Sequence, residues 1–182
     1  MISFDACVSQ LDGSPNCLAF LEAWLRWRGD DLVPSVTQVR PEELGKALTG
    51  LSILEVHTRD RSTYRLVGST HIDAMGRDLT GKEVASVTPE KDQAPRMAGL
   101  WNMVSVPCGA ISELSYLRQS GNSNPTRRLV LPVTPKSIGE PKRLYVALDA
   151  FGPRAMPDDP PAGPVTLTEK VTHVDIGFGV PE

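Results

Sequence analysis

The stretch that most constrains the fold is Tyr64 to Lys82, YRLVGSTHIDAMGRDLTGK, which sets a strand, a glycine stop, a helical turn and a second helix start within nineteen residues. Tyr64, Leu66 and Gly68 alternate with Arg65, Val67 and Ser69, the period-two signal of a strand with one face on a core. The strand stops at Gly68. Thr70 through Met75 predicts one or two helical turns, and Gly76 stands where a left-handed C-terminal cap needs a residue without a Cβ. Thr80 and Glu83 then spell Thr-x-x-Glu, a capping box that would satisfy free amides at the start of a further helix. Short helices following a strand in this way indicate an α+β domain.

The rest of the chain supplies the partners that this stretch needs. Ser14-Pro15 predicts an N-cap with proline at the first helical position; Leu18, Leu21, Trp24, Leu25 and Arg28 follow at helical spacing until Gly29. Phe20, Trp24 and Trp27 widen the apolar surface of that helix beyond one stripe, which suits either the domain's own sheet or a second subunit. Pro41-Glu42-Glu43 opens a short helix ending near Gly50. Leu51 to Thr58 and Ser62 to Ser69, joined by Arg59-Asp60-Arg61, read as an antiparallel hairpin. Met97, Leu100, Trp101 and Val104 recur at i, i+3, i+4 and i+7, a core-facing helix that Pro107 ends. Three further strands are expected over Ala110 to Arg118, Arg127 to Thr134 and Arg143 to Phe151, with turn chemistry at 121–125 and 135–141. Gly152 to Pro164 is too rich in proline for a regular element and reads as a linker. Beyond it, Val174, Ile176 and Phe178 alternate, so the 165–182 extension is expected to add an edge strand or to pair with another chain.

Read as segments, the chain has a 1–13 tail, a helical segment over 14–50, a core over 51–151, a linker over 152–164 and the extension. Several strings within it, Trp24-Leu-Arg-Trp-Arg-Gly29, Pro34-Ser35, Pro41-x-x-Leu44, Ile53-Leu-Glu-Val56, Tyr64-Arg-Leu-Val-Gly68, Gly76-Arg-Asp-Leu-Thr-Gly81 and Leu129-Val-Leu-Pro132, resemble the short bacterial subgroup of PAS domains that stand alone without a fused kinase. The resemblance spans roughly residues 18 to 150. It implies a PAS-like five-stranded antiparallel sheet with short helices on one face, an N-terminal helix and a C-terminal extension. It also implies a role as a small-molecule sensor or protein-interaction module that works in signal transduction, through a signalling partner or a homodimer. The usual ligand location of this fold, between the sheet and the longer helix, would here be lined by Leu66, Met97, Trp101, Cys108 and Leu114. Fold analogy of this kind leaves the ligand open.

Composition removes several function classes. A formal net charge of −3 leaves no global field for nucleic acid or anionic membrane, so direct nucleic-acid binding is not expected. The start, Met1-Ile-Ser-Phe-Asp5, is not that of a secretory signal, and no stretch has the eighteen or so apolar residues of a membrane span, which points to a cytoplasmic protein without membrane insertion. Cys7, Cys17 and Cys108 are odd in number and lack metal-like spacing, so reduced thiols are expected, with a redox-sensing cysteine as the alternative.

The remaining chemistry is sparse. His57, His71 and His173 form no pair at helical ligand spacing, and no metal site is expected. His71 follows the second strand, where some PAS proteins use a histidine as an axial haem ligand; a surface histidine is the plainer reading. The Asn-Cys-Arg-Phe-Leu-Gln string of flavin photosensors is absent, so neither haem nor flavin is expected. Gly76 and Gly81 read as caps rather than a phosphate loop. Asp73, Asp78 and Glu83 read as capping or solvated carboxylates. No nucleophile, base and acid can be grouped by spacing, and no catalytic residue is assigned. Arg28, Arg65 and Arg77 suit an anion site or, more plainly, ion pairs with Glu55 or Asp78. The function expected is a regulatory sensor or interaction module, with a ligand-free adaptor as the alternative and an enzyme on a similar fold behind both.

Overall fold

The computed structural model describes residues 2–117, 119–152 and 170–181. Two helices come first, α1 (Phe4–Gln10) and α2 (Pro15–Arg28), then a 3-10 segment (Pro41–Gly50) that Gly45 kinks at φ 52°. The hairpin β1 (Leu51–Thr58) and β2 (Arg61–Leu66) leads through α3 (Ser69–Met75) to the longer α4 (Glu90–Ser105). β3 (Gly109–Leu117), β4 (Ser123–Val133) and β5 (Lys142–Ala150) follow, and β6 (Lys170–Val174) is the last strand described. Neighbouring strands pair antiparallel, in the spatial order β2-β1-β5-β4-β3-β6.

The sheet has six strands where five were expected, because the extension pairs with β3 of its own chain, Ala110 opposite His173 and Ser112 opposite Val171. The stretch read as a tail contains α1, a helix of seven residues too short to announce itself by apolar period. The expected linker lies outside the described residues beyond Gly152. β4 begins at Ser123, inside the stretch read as a turn, and Pro125 sits opposite Ser115. Gly76 is left-handed at φ 74° and returns its N–H to Ile72 O at 2.7 Å, as a helix stop should.

The predicted capping box does not form. Thr80 Oγ1 instead accepts the Val67 N–H at 3.2 Å, and Glu83 pairs with Arg61 at 3.1 Å beside the outer edge of β2. Tertiary partners outcompete the local motif, and only a 3-10 turn (Ala85–Val87) follows. The backbone of 81–84 lies along that edge: Tyr64 N–H bonds Lys82 O, Gly81 N–H bonds Tyr64 O and Val84 N–H bonds Ser62 O. At the opposite edge Ile2 brackets Val174, its N–H on His173 O and its carbonyl on the Asp175 N–H.

Both faces of the sheet are buried, and each has its own core. Leu129, Leu131, Val133, Tyr145 and Ala147 pack against Phe20, Leu21, Trp24 and Trp27 of α2. Leu54, Val130, Leu144, Val146 and Leu148 face α3 and α4 through Ala74, Met75, Met97, Met103 and Val104. β5 therefore divides its side chains between two cores, and every position from Leu144 to Asp149 is buried.

Candidate functional site

A cleft of about 390 Å³ lies between α4 and the face of the sheet it covers, at the small end of the range of ligand pockets (~300–1,000 Å³). Five strands contribute to its floor: Leu54 from β1, Val146 from β5, Arg128 and Val130 from β4, Ala110 and Ser112 from β3, and Val171 and His173 from β6. The wall is one face of α4, Pro95, Arg96, Gly99, Leu100 and Met103. A Cβ built on Gly99 meets nothing within 4 Å, so the helix leaves open space there.

The polar side chains of the cleft are few: Arg96, Arg128, Ser112 and His173. Arg128 Nε donates to Ser112 Oγ at 3.2 Å. Burial lowers the proton affinity of Arg128 and the charge of Arg96 pushes the same way, while Tyr116 and Tyr64 oppose. Arg96 is committed on both sides, Nη1 to Thr88 Oγ1 and Nη2 to Tyr64 Oη, each at 2.8 Å. Neither arginine makes an ion pair among the described residues. Burial also lowers the proton affinity of His173.

Behind the cleft, His71 on α3 is buried rather than on the surface. Its Nδ1 lies 2.9 Å from Ser52 Oγ, which accepts the Gly68 N–H at 3.0 Å and can give its own proton to the ring. Burial, helped by the positive charge of Arg128, holds the His71 pKa down at about 3, so the imidazole is neutral at physiological pH.

A PAS domain family model matches residues 13–148, three quarters of the chain. The chain belongs to the PAS domain family. Among solved structures, this PAS domain is similar to the PAS domain of an HTR-like protein from Haloarcula marismortui, with 18% identity, a TM-score of 0.37 and coverage of 55% of this chain and 81% of that one. It is also similar to a sensory box histidine kinase/response regulator from Burkholderia thailandensis E264, with 16% identity, a TM-score of 0.33 and coverage of 62% and 85%. No curated protein matches the chain.

The PAS fold distributes the expected ligand residues unevenly. Leu66, 45% exposed at the end of β2, lies outside both cores: a register irregularity opposite it, where Leu66 pairs with Ile53 but Tyr64 with Leu54, breaks the alternation that would otherwise put it on the inward face with Tyr64. Met97, Cys108 and Leu114 are buried in the core beside the cleft, and Trp101 is half-buried under Lys142, whose Nζ stands 5.9 Å from the ring centre. None of these five, nor His71, is among the residues that line the cleft. The lining that sequence reasoning passed over is Arg128, Arg96 and Ser112. An arginine inside a strand of Arg-Arg-Leu-Val-Leu reads as a surface residue until register places it inward.

The aromatics of α2 are enclosed by their own chain. Trp24 is fully buried and donates Nε1 to Pro132 O at 2.9 Å, and Phe20 and Trp27 meet edge to face with centroids 6.2 Å apart. Of the two places open to them, the domain's own sheet or a second subunit, these three side chains take the sheet, against β4 and β5. Of the three arginines, Arg65 pairs with Glu55 at 3.2 Å, and Arg143 shares the same carboxylate at 3.3 Å. Arg28 stacks over Trp24 at 5.7 Å. Arg77 keeps Nε and Nη2 buried without a hydrogen-bond partner among the described residues, and Asp78 instead accepts the Thr80 N–H at 2.8 Å. All three cysteines are free and buried, and burial raises the thiols of Cys7 and Cys108 to a pKa of about 11, which opposes thiolate redox chemistry. No helix of the described residues is long and apolar enough to cross a membrane.

Proposed function

We propose that this PAS domain is a cytoplasmic regulatory module whose α4 cleft takes up a small molecule and passes its occupancy on through association with a signalling protein or a second copy of the chain. The observation that carries this reading is the cleft itself: apolar walls with a few convergent polar groups, on the face of the sheet opposite α2. Three free, buried cysteines suit a reducing compartment.

β5 supports a route between the two faces. Val146 faces the cleft, while its neighbours Tyr145 and Ala147 face α2 and Asp149 holds the amides at the start of that helix. A ligand that shifts β5 would change how α2 seats, and the population of associated chains would follow from the ligand's differential affinity for the two seatings.

The test compares native mass spectra of the freshly purified chain and its Gly99→Leu variant, which puts a side chain into the open space of the cleft. A small-molecule mass carried by the wild type and lost from the variant supports the reading. Two bare chains, or two bare dimers, would overturn it in favour of a ligand-free adaptor.

A further inference from the structure

Arg128 is a cleft arginine with no ion pair among the described residues. It sits on β4, between Ser112 of β3 and Leu148 of β5, and lines the cleft together with Ala110, Val130 and Val146. Arg128 is half-buried, and partly removing a guanidinium from water is costly unless an anion or a full set of acceptors replaces the lost water. Ser112 Oγ satisfies Nε, and no other hydrogen bond to Arg128 exists among the described residues, so both Nη atoms are without a partner among them. Arg96, the other arginine of the cleft, adds to the positive potential rather than relieving it, and its own two Nη atoms are occupied by Thr88 and Tyr64.

One open pair of parallel N–H donors carrying one positive charge matches a carboxylate, which accepts two parallel hydrogen bonds and carries one negative charge. A phosphate monoester, with up to two charges and three acceptor oxygens, would leave acceptors unmatched at a single open fork. The remaining surface of the cleft is aliphatic: Leu54, Leu100, Met103, Val130 and Val146. We propose that the ligand of this cleft is a small amphipathic carboxylate, its head on the Nη atoms of Arg128 and its apolar body between α4 and β1, β4 and β5. This assignment rests on the reading of the cleft as a ligand site and adds the chemical class.

Octanoate is a suitable probe. Its ten non-hydrogen atoms occupy on the order of 300 Å³ at about 30 Å³ each, the share of a heavy atom in liquid water, and the cleft offers about 390 Å³. Octanamide keeps the length and polarity but removes the charge. Titration calorimetry of both into wild type is expected to show octanoate binding at least tenfold more tightly. Arg128→Gln should bring octanoate down to the octanamide level, Arg128→Lys should retain part of the preference, and thermal unfolding of each variant establishes that it is folded. The wild-type comparison stands even if a variant does not fold.

Equal binding of the two probes to wild type, with both lost in Gly99→Leu, would overturn the carboxylate assignment and leave the cleft as a ligand site. Undiminished octanoate binding by folded Arg128→Gln would overturn it equally. Binding of neither probe at millimolar concentration would overturn the assignment, and the mass spectra of wild type and Gly99→Leu then decide separately whether the cleft holds any ligand.

Discussion

Asp149 holds the backbone of Cys17: its Oδ2 accepts the Cys17 N–H at 2.9 Å while Oδ1 accepts that of Asn16 at 3.0 Å. The N-cap of α2 is thus supplied from β5, more than 130 residues along the chain, and Ser14, the residue the sequence offers as cap, makes no capping bond. Ser14 Oγ receives Arg127 Nη1 at 3.1 Å instead. A carboxylate at a helix start satisfies two free amides and meets the positive end of the helix dipole, which makes this contact the anchor of α2 on the sheet.

Asp149→Ala should therefore destabilise the domain by about 1–3 kcal/mol, since it strands two amides in a buried setting. Urea unfolding followed by tryptophan fluorescence measures this, and Asp149→Asn, which can still accept one bond, should fall between the variant and wild type. A midpoint unchanged in Asp149→Ala would mean that α2 is held by its apolar face alone.

Trp24→Ala should cost roughly 3–5 kcal/mol, the range for deleting a large buried aromatic side chain. Its indole is wholly enclosed and its Nε1 bond to Pro132 O is lost as well. Calorimetric melting is the measurement. Loss of self-association with an unchanged melting temperature would contradict the packing described for α2.

Gly68→Ala should be destabilising by about 1–3 kcal/mol or more, through crowding rather than backbone conformation. A Cβ at this position would lie 2.4 Å from Thr49 O and 2.5 Å from Leu51 O, both backbone atoms that cannot swing away. Comparison with Gly81→Ala is instructive, because Gly81 has open space but a positive φ of 78° and should suffer from backbone strain alone.

Acid should weaken the fold through His71. Its pKa is held at about 3 in the folded chain against 6.5 for the free side chain, so between those values the unfolded chain binds the extra proton. The stabilisation is complete above pH 6.5 and is lost as pH falls, with a slope of at most ~1.4 kcal/mol per pH unit from this one group. Urea midpoints at pH 7 and pH 5 should differ more in wild type than in His71→Asn. Parallel pH dependences in the two proteins would remove His71 as the source.

Much of the fold was legible because it follows from short-range rules. Pro15 and Gly29 bound α2 where proline and glycine must, and the order of hairpin, short helices, long helix and three strands came from period and turn residues. What escaped depends on contacts made at a distance. The Thr80 and Glu83 pair looks like a cap only until Val67 and Arg61 take the two side chains, and His71 looks like a surface residue until α3 packs it against Ser52 of β1. The cleft was legible as a place but not as a lining. Arg128 turns inward because β4 pairs with β3 in one register, Arg128 opposite Ser112, and a shift of one residue would have turned Arg127 inward instead.

The coverings at the two margins of the sheet bear on how the protein behaves in a crowded solution. A bare strand margin is a template on which a foreign strand can nucleate stacking, the first step toward fibrils. Here residues 81–84 occupy backbone groups of β2, and Ile2 occupies those at the end of the five-residue β6. Where these groups are occupied, a foreign strand finds fewer backbone partners on this PAS domain, which weighs against stacking as a route to aggregation.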